Sequence, residues 1–218
     1  PLCGRPALQV MIERLQPFRE HIIIATTNDG TEGPIVDLCK DIGIKYFRGD
    51  RDNVLERYYF AAKDAGAKEN DGIMRLTSDC PVIDAGLVGK VIDTFLSRQY
   101  DLVSLEPHSG FPIGMDAVIV KFELMEQTYR KATLAADKEH VIIGIGKFNH
   151  IEALTISALN DYSNYRLTLD ENSDYEAIKA VYRQFNDDIN FNFEALIDML
   201  KRHPEISEIN KHVRQTAL

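Results

Sequence analysis

The sequence predicts an α/β domain of three layers, with helices on both faces of a mostly parallel sheet. Two observations point there: short apolar, β-branched runs alternate with segments of helical periodicity, and the runs empty into polar loops. The connections are short, as strand–helix–strand units covered on both faces require.

In chain order, Ile22 to Thr26 is the first such run and passes into Thr27-Asn28-Asp29-Gly30. A helix is expected next, with Pro34 in its first turn, Ile35, Leu38, Cys39 and Ile42 at helical spacing, and Gly43 at its end. Ile44 to Phe47 is the second strand. Asp52 or Asn53 can cap a helix that runs through Ala65 and stops at Gly66, and Ile73 to Thr77 returns as a strand. Asp84 can cap a helix to about Ser97, and Asp101 to Leu105 follows as a strand. From Glu106 to Asn164 the rhythm breaks around Pro107, Gly110, Pro112 and Gly114. This region is expected to be an insertion over the sheet, with a strand at Ala117 to Lys121 and a helix at Glu123 to Lys131. The run Val141-Ile-Ile-Gly-Ile-Gly146 is apolar yet glycine-broken and joins awkwardly to Lys147-Phe-Asn-His150, as if a few residues were absent between them. Arg166 to Leu169 resumes a strand, and Ser173-Asp-Tyr-Glu176 reads as a capping box for a helix through Phe185. Residues 1–186 therefore form the main domain, and 187–218 a helical extension with an amphipathic helix from Phe193 to Arg202 and a shorter segment after Pro204.

Composition narrows the functions. With 218 residues, 44% hydrophobic and 27% charged, the chain suits one large domain, and it has no apolar run near the roughly 20 residues that span a bilayer. A formal charge of −9 argues against a general nucleic-acid binder, which needs positive surface to displace counterions. An anionic small substrate would instead need a divalent cation and a few placed arginines. Cys3, Cys39 and Cys80 are odd in number and widely spaced, which fits a reducing, cytoplasmic setting better than a disulfide framework. Pro1-Leu-Cys-Gly-Arg-Pro6 carries no signal-peptide pattern and looks like a chain taken up partway.

In parallel α/β sheets ligands gather beyond the carboxyl ends of the strands, so the residues just after each strand matter most. Asp79 follows the Ile73 to Thr77 run, and Asp170 ends the Arg166 to Leu169 run. With Ser173 as the helix cap, Asp170 is spare. Two such carboxylates, completed by substrate oxygens and water, are how Mg²⁺ is commonly held. The other reading is an Asx-turn at Asp79 before Pro81 and a loop hydrogen bond at Asp170. Arg48, Arg51, Arg57 and Arg75 are the basic groups near strand ends, and Arg75, inside an apolar strand, needs an acidic partner or an anionic ligand. Gly110 to Asp116 either offers amides and the Asp116 carboxylate to a sugar or is simply a turn. Of the six histidines only His140, beside Glu139, stands out.

Several stretches together resemble the spore-coat polysaccharide type of cytidylyltransferase, relatives of the enzymes that make CMP-activated ulosonic and nonulosonic acids. They are Gly49-Asp-Arg-Asp-Asn-Val-Leu-Glu-Arg-Tyr-Tyr59, Arg75-Leu-Thr-Ser-Asp-Cys-Pro-Val-Ile-Asp84, Phe111-Pro-Ile-Gly-Met-Asp116, Glu139-His-Val141, Tyr165-Arg-Leu-Thr-Leu-Asp-Glu171 and the Asn210-Lys-His-Val tail. The resemblance implies a Rossmann-like fold of the nucleotide-diphospho-sugar transferase type and transfer of CMP from CTP to a small acidic sugar with release of pyrophosphate. It implies Mg²⁺ on Asp79 and Asp170, Arg75 among the catalytic groups, Arg57, Thr77 and Ser78 at the nucleotide, Asp116 and His140 at the sugar, and a homodimer formed partly by the region after Glu106. The family also opens with a strand and a basic triphosphate loop. Pro1 to Pro6 resembles the sequence just after that loop, so both are expected to lie outside this chain. A glycosyltransferase consuming a nucleotide sugar through Asp50-Arg-Asp52, or a non-catalytic sugar-binding homologue, are the alternatives.

Overall fold

A computed structural model of the chain describes residues 1–214, so the last four residues of the expected helical extension lie outside the described part. The N-terminal helix α1 (Ala7–Arg14) leads through a 3-10 turn to β1 (Ile23–Thr27). Then come α2 (Gly33–Ile42), β2 (Lys45–Gly49), α3 (Val54–Asp64), β3 (Gly72–Arg75), α4 (Ala85–Leu96) and β4 (Leu102–Leu105). The middle of the chain holds β5 (Ala117–Lys121), α5 (Phe122–Lys131), α6 (Ala135–Glu139), α7 (Val141–Phe148) and β6 (Ala153–Thr155). The described part ends with α8 (Asn172–Gln184), α9 (Phe193–Arg202) and α10 (Pro204–Glu208).

The caps foreseen for α3 and α4 are present. Asn53 accepts from the Glu56 amide and Asp84 from the Leu87 amide, while Gly43 ends α2 with φ of 67°, a left-handed conformation that costs glycine least.

β1 and β2 pair in parallel, and the other four strands run in the order β3-β5-β4-β6. β5 is antiparallel to both β3 and β4, and β6 is parallel to β4. The expectation of a mostly parallel sheet holds, since β3, β4 and β6 run in one direction; β5 runs against them because the loop 106–116 supplies only a 3-10 turn and no helical crossover to bring the next strand round in parallel. The region after Glu106 is not simply laid over the sheet, since β5 lies between β3 and β4 and β6 extends the same sheet.

Strand alternation divides the interior. On β4 and β5, Val103, Leu105, Ala117 and Ile119 point into a core completed by α1, α4, α8 and α9. Leu102, Val118 and Val120 point the other way, to α3, α5 and α7. Helices therefore cover both faces, as foreseen.

Three local expectations change. β3 ends at Arg75 rather than Thr77. The glycine-broken run is an unbroken helix, α7, in which Gly144 lets the helix approach Thr128 of α5, where an added Cβ would come 2.8 Å from its methyl group. Residues 166–169 form no ladder strand, only a bridge from Arg166 to Ile113. Among the described residues no helix is long and apolar enough to cross a membrane.

Candidate active site

Asp79 lies in a loop pinned at both ends. Ahead of it, the Tyr58 hydroxyl donates to the Leu76 carbonyl at 3.1 Å; beyond it, the buried Tyr182 hydroxyl donates to the Pro81 carbonyl at 2.7 Å. Next to Asp79, the Cys80 thiol is buried, 3.2 Å from the Thr77 hydroxyl, and donates to Asp79 Oδ1 at 3.4 Å. Burial, and then the Asp79 charge, push this thiol well above its ordinary range, so it stays a donor rather than a thiolate.

A second segment lies against this loop. The Leu169 amide donates to the Asp79 carbonyl at 2.9 Å, and the Thr168 hydroxyl reaches the same oxygen at 3.4 Å. Further back, Ile113 and the segment exchange two hydrogen bonds, Leu167 amide to Ile113 carbonyl at 2.8 Å and Ile113 amide to Tyr165 carbonyl at 3.0 Å. Gly114 makes that approach possible: its φ is 97°, and a Cβ there would sit 2.6 Å from the Leu167 carbonyl carbon and oxygen. The loops carrying Asp79, Asp116 and Asp170 are thereby drawn together.

Asp116 is half-buried and accepts from the Gly114 amide at 3.1 Å. Burial raises its carboxyl above the ordinary range; the Gly114 amide and its own amide pull it down, the Asp79 charge raises it, and Arg75 lowers it. Asp79, Arg75 and Asp116 thus share one electrostatic neighbourhood. Tyr58 belongs to it as well, since burial raises its hydroxyl, Arg75 and Arg57 lower it, and Asp79 raises it again.

Both arginines have a buried Nε without a partner among the described residues. Arg57 spends Nη1 on the Asp50 and Arg51 carbonyls, 2.9 Å each. A buried unpaired donor costs about 1–3 kcal/mol, and an anionic ligand is one way to recover that cost.

Asp170 has one of its two carboxylate oxygens engaged. Its Oδ2 accepts from Arg166 Nη2 at 2.7 Å, while Arg166 makes a two-pronged bond to Asp174, Nε to Oδ1 at 2.8 Å and Nη2 to Oδ2 at 3.0 Å. Asp174, not Ser173, serves the start of α8: its Oδ2 accepts from the amides of Glu171 and Asp170 at 3.0 and 3.2 Å. The foreseen cap shifts because α8 has already begun at Asn172. From the far end of the chain, Asn210 Nδ2 donates to Asp174 Oδ1 at 2.8 Å and to the Arg166 carbonyl at 3.0 Å. Sequence reasoning missed this trio, and its one local sign was an arginine four positions before Asp170.

The other candidates fall out as follows. Thr77 contacts Cys80, and Ser78 is exposed in the same loop. His140 sits at the joint of α6 and α7, where its described bonds are backbone ones. Arg48 pairs with Glu32 at 3.1 Å and Arg51 with Asp29 at 3.6 Å. Asp50 spends Oδ1 on the amides of Asp52 and Asn53, 2.8 Å each, so Asp50-Arg-Asp52 forms a turn before α3.

Among the described residues no cluster of three or more metal-ligating side chains is preassembled. Asp79 and Asp170 suit a cation that takes one or two carboxylates and completes its shell with water and substrate phosphate, which is the preference of Mg²⁺.

The sequence profile described as Cytidylyltransferase matches residues 1–207. An uncharacterized protein of Methanocaldococcus jannaschii is 30% identical, covering 98% of this chain and 87% of its own length. The Bacillus subtilis spore coat polysaccharide biosynthesis protein SpsF is 28% identical, covering 94% and 87%. Among solved structures, a cytidylyltransferase from Leptospira borgpetersenii superposes with a TM-score of 0.88 at 29% identity, covering 100% of this chain and 90% of that one. CMP:2-keto-3-deoxy-manno-octonic acid synthetase, in a complex with CTP, shares the fold at a TM-score of 0.58 and 11% identity, covering 85% and 90%.

Proposed function

The chain belongs to the cytidylyltransferase family and is a CTP-using nucleotidyltransferase, and from that premise we propose that it transfers CMP to an acidic sugar for polysaccharide or glycan synthesis. A hydroxyl oxygen of the sugar bonds to the α-phosphorus of CTP, the bond between that phosphorus and the bridging oxygen breaks, and pyrophosphate leaves with the electron pair. The hydroxyl proton passes to solvent. Asp79 and Asp170 would hold Mg²⁺, whose chemistry is to offset charge on the triphosphate.

The observation that carries this reading is the bond from the Leu169 amide to the Asp79 carbonyl, which sets the two carboxylate loops side by side. Arg75 and Arg57 supply fixed positive charge toward phosphate or sugar carboxylate, with their unpartnered buried Nε groups as the support. Thr77 and Ser78 border the nucleotide, and Asp116 accepts from a sugar hydroxyl. His140, at the joint of α6 and α7, is the second candidate for the sugar. Free Cys3, Cys39 and Cys80 are in keeping with a cytoplasmic setting. The working unit is a homodimer that uses the α6–α7 region, where Leu134 and Ile143 are exposed.

Pyrophosphate release, measured with each nucleoside triphosphate against a panel of acidic sugars, tests the proposal. Release should require CTP and Mg²⁺, and Asp79→Asn should lower kcat/KM by about two orders of magnitude, the worth of roughly 3 kcal/mol of charge stabilisation. Full activity in Asp79→Asn, or release of a nucleoside diphosphate instead, overturns it.

A further inference from the structure

Asp174 is fully enclosed, and its carboxylate already accepts from Arg166, Asn210 and the amides of Asp170 and Glu171. It is saturated and has nothing to offer a cation. Its work is to hold Arg166, which is itself nearly buried. Charge bookkeeping then separates the two aspartates that touch this guanidinium. The Arg166–Asp174 pair is neutral as a unit, so the negative charge of Asp170 is left unspent. Geometry adds to this: Oδ2 of Asp170 is fixed by Arg166 at 2.7 Å, while Oδ1 has no described partner and the side chain is 45% exposed.

Asn210 closes the arrangement from a different part of the chain. It is 2% exposed, and its amide group donates once to Asp174 and once to the backbone carbonyl of Arg166. It thus touches both members of the neutral pair and neither candidate cation ligand. We propose that Asn210 and Arg166 are positioning residues for Asp170, through which the segment after α10 holds one carboxylate oxygen still and leaves the other to a divalent cation that arrives with the nucleotide. The inference rests on Asp170 as a cation ligand. Groups that orient a metal ligand from behind typically change metal affinity by about 10–100-fold when removed.

Mn²⁺ is the probe, titrated as its CTP complex into the full chain and followed by the enhancement of water-proton relaxation that protein-bound Mn²⁺ gives over a protein-free Mn²⁺–CTP blank. Asn210→Ala should bind Mn²⁺ about 10–100-fold more weakly than the parent while its circular dichroism at low temperature matches the parent. Arg166→Lys, which keeps the charge but loses the planar fork, should do the same, so the test stands if either variant fails to fold. Asn210→Ser, able to keep one of the two bonds, should fall between. Unchanged Mn²⁺ affinity in folded Asn210→Ala or Arg166→Lys, with only a lowered Tm, overturns the inference and leaves the cation reading intact. Tighter binding in Arg166→Lys would also overturn it, since Arg166 would then compete with the cation. Absence of Mn²⁺ uptake by the parent chain with CTP removes the cation reading and this inference together.

Discussion

The carboxyl of Asp174 shows how one residue can carry a pH dependence. Burial alone would raise it, but the Arg166 fork, the Asn210 amide and the amides of Glu171 and Asp170 outweigh that and hold it below the ordinary value of 3.8. A depressed folded-state pKa gives stability that is fully present above the unfolded value and is lost as pH falls through the folded one. Asp174→Asn, which leaves Arg166 without its main counter-charge, should therefore destabilise the protein by about 3–5 kcal/mol at pH 7, and by less in acid, where the unfolded parent chain gains a proton that the folded Asp174 resists. Urea midpoints at neutral pH and near pH 3 measure this; equal losses at both would refute it. The loop position of Asp79 was legible in the sequence because its signal is local: an aspartate just past an apolar run and two residues before a proline. Asp174 was not, because its role depends on partners 8 and 36 positions away. The neighbouring Ser173 and Glu176 offered a helix start that a local reading prefers.

Among the elements, the connection into β5 sets the geometry that the candidate site needs. Gly114 brings the backbone before β5 against Leu167, with space for no side-chain atom. Gly114→Ala should cost about 1–3 kcal/mol for the conformation alone and more for the collision with Leu167. Because it also parts Ile113 from the Tyr165 to Leu169 segment, pyrophosphate release should fall with it. Chemical unfolding and the release assay check both, and a variant with parent-like values in each would show that the approach is slack. Helix caps at Asn53 and Asp84 could be foreseen because a cap is chemistry within one turn. The direction of β5 and the loss of a strand at 166–169 could not, since strand pairing is decided by the partner and the length of the connection.

For the molecule as a whole, the two cores on opposite faces of one sheet give the three layers, and the apolar alternation that fills them was visible beforehand. What composition could not reveal is which apolar side chains stay outside. Ile143 on α7 is 49% exposed and Leu134 58%. If they meet a second copy, Ile143→Asp should move the sedimenting species from the mass of two chains to that of one while circular dichroism stays unchanged; a parent protein already sedimenting as one chain would sink this expectation. The bonds that close the site have a consequence in time as well. β4 joins β5, and β1 joins β2, across short lengths of chain, whereas Asp79 meets Leu169 and Arg166 meets Asn210 only across long ones. Closing long loops costs more entropy, so the paired strands can form first and the carboxylates meet late. During synthesis, a chain that has left the ribosome only as far as α9 already carries every aspartate of the site, yet it still lacks the asparagine that completes the anchor behind the last of them.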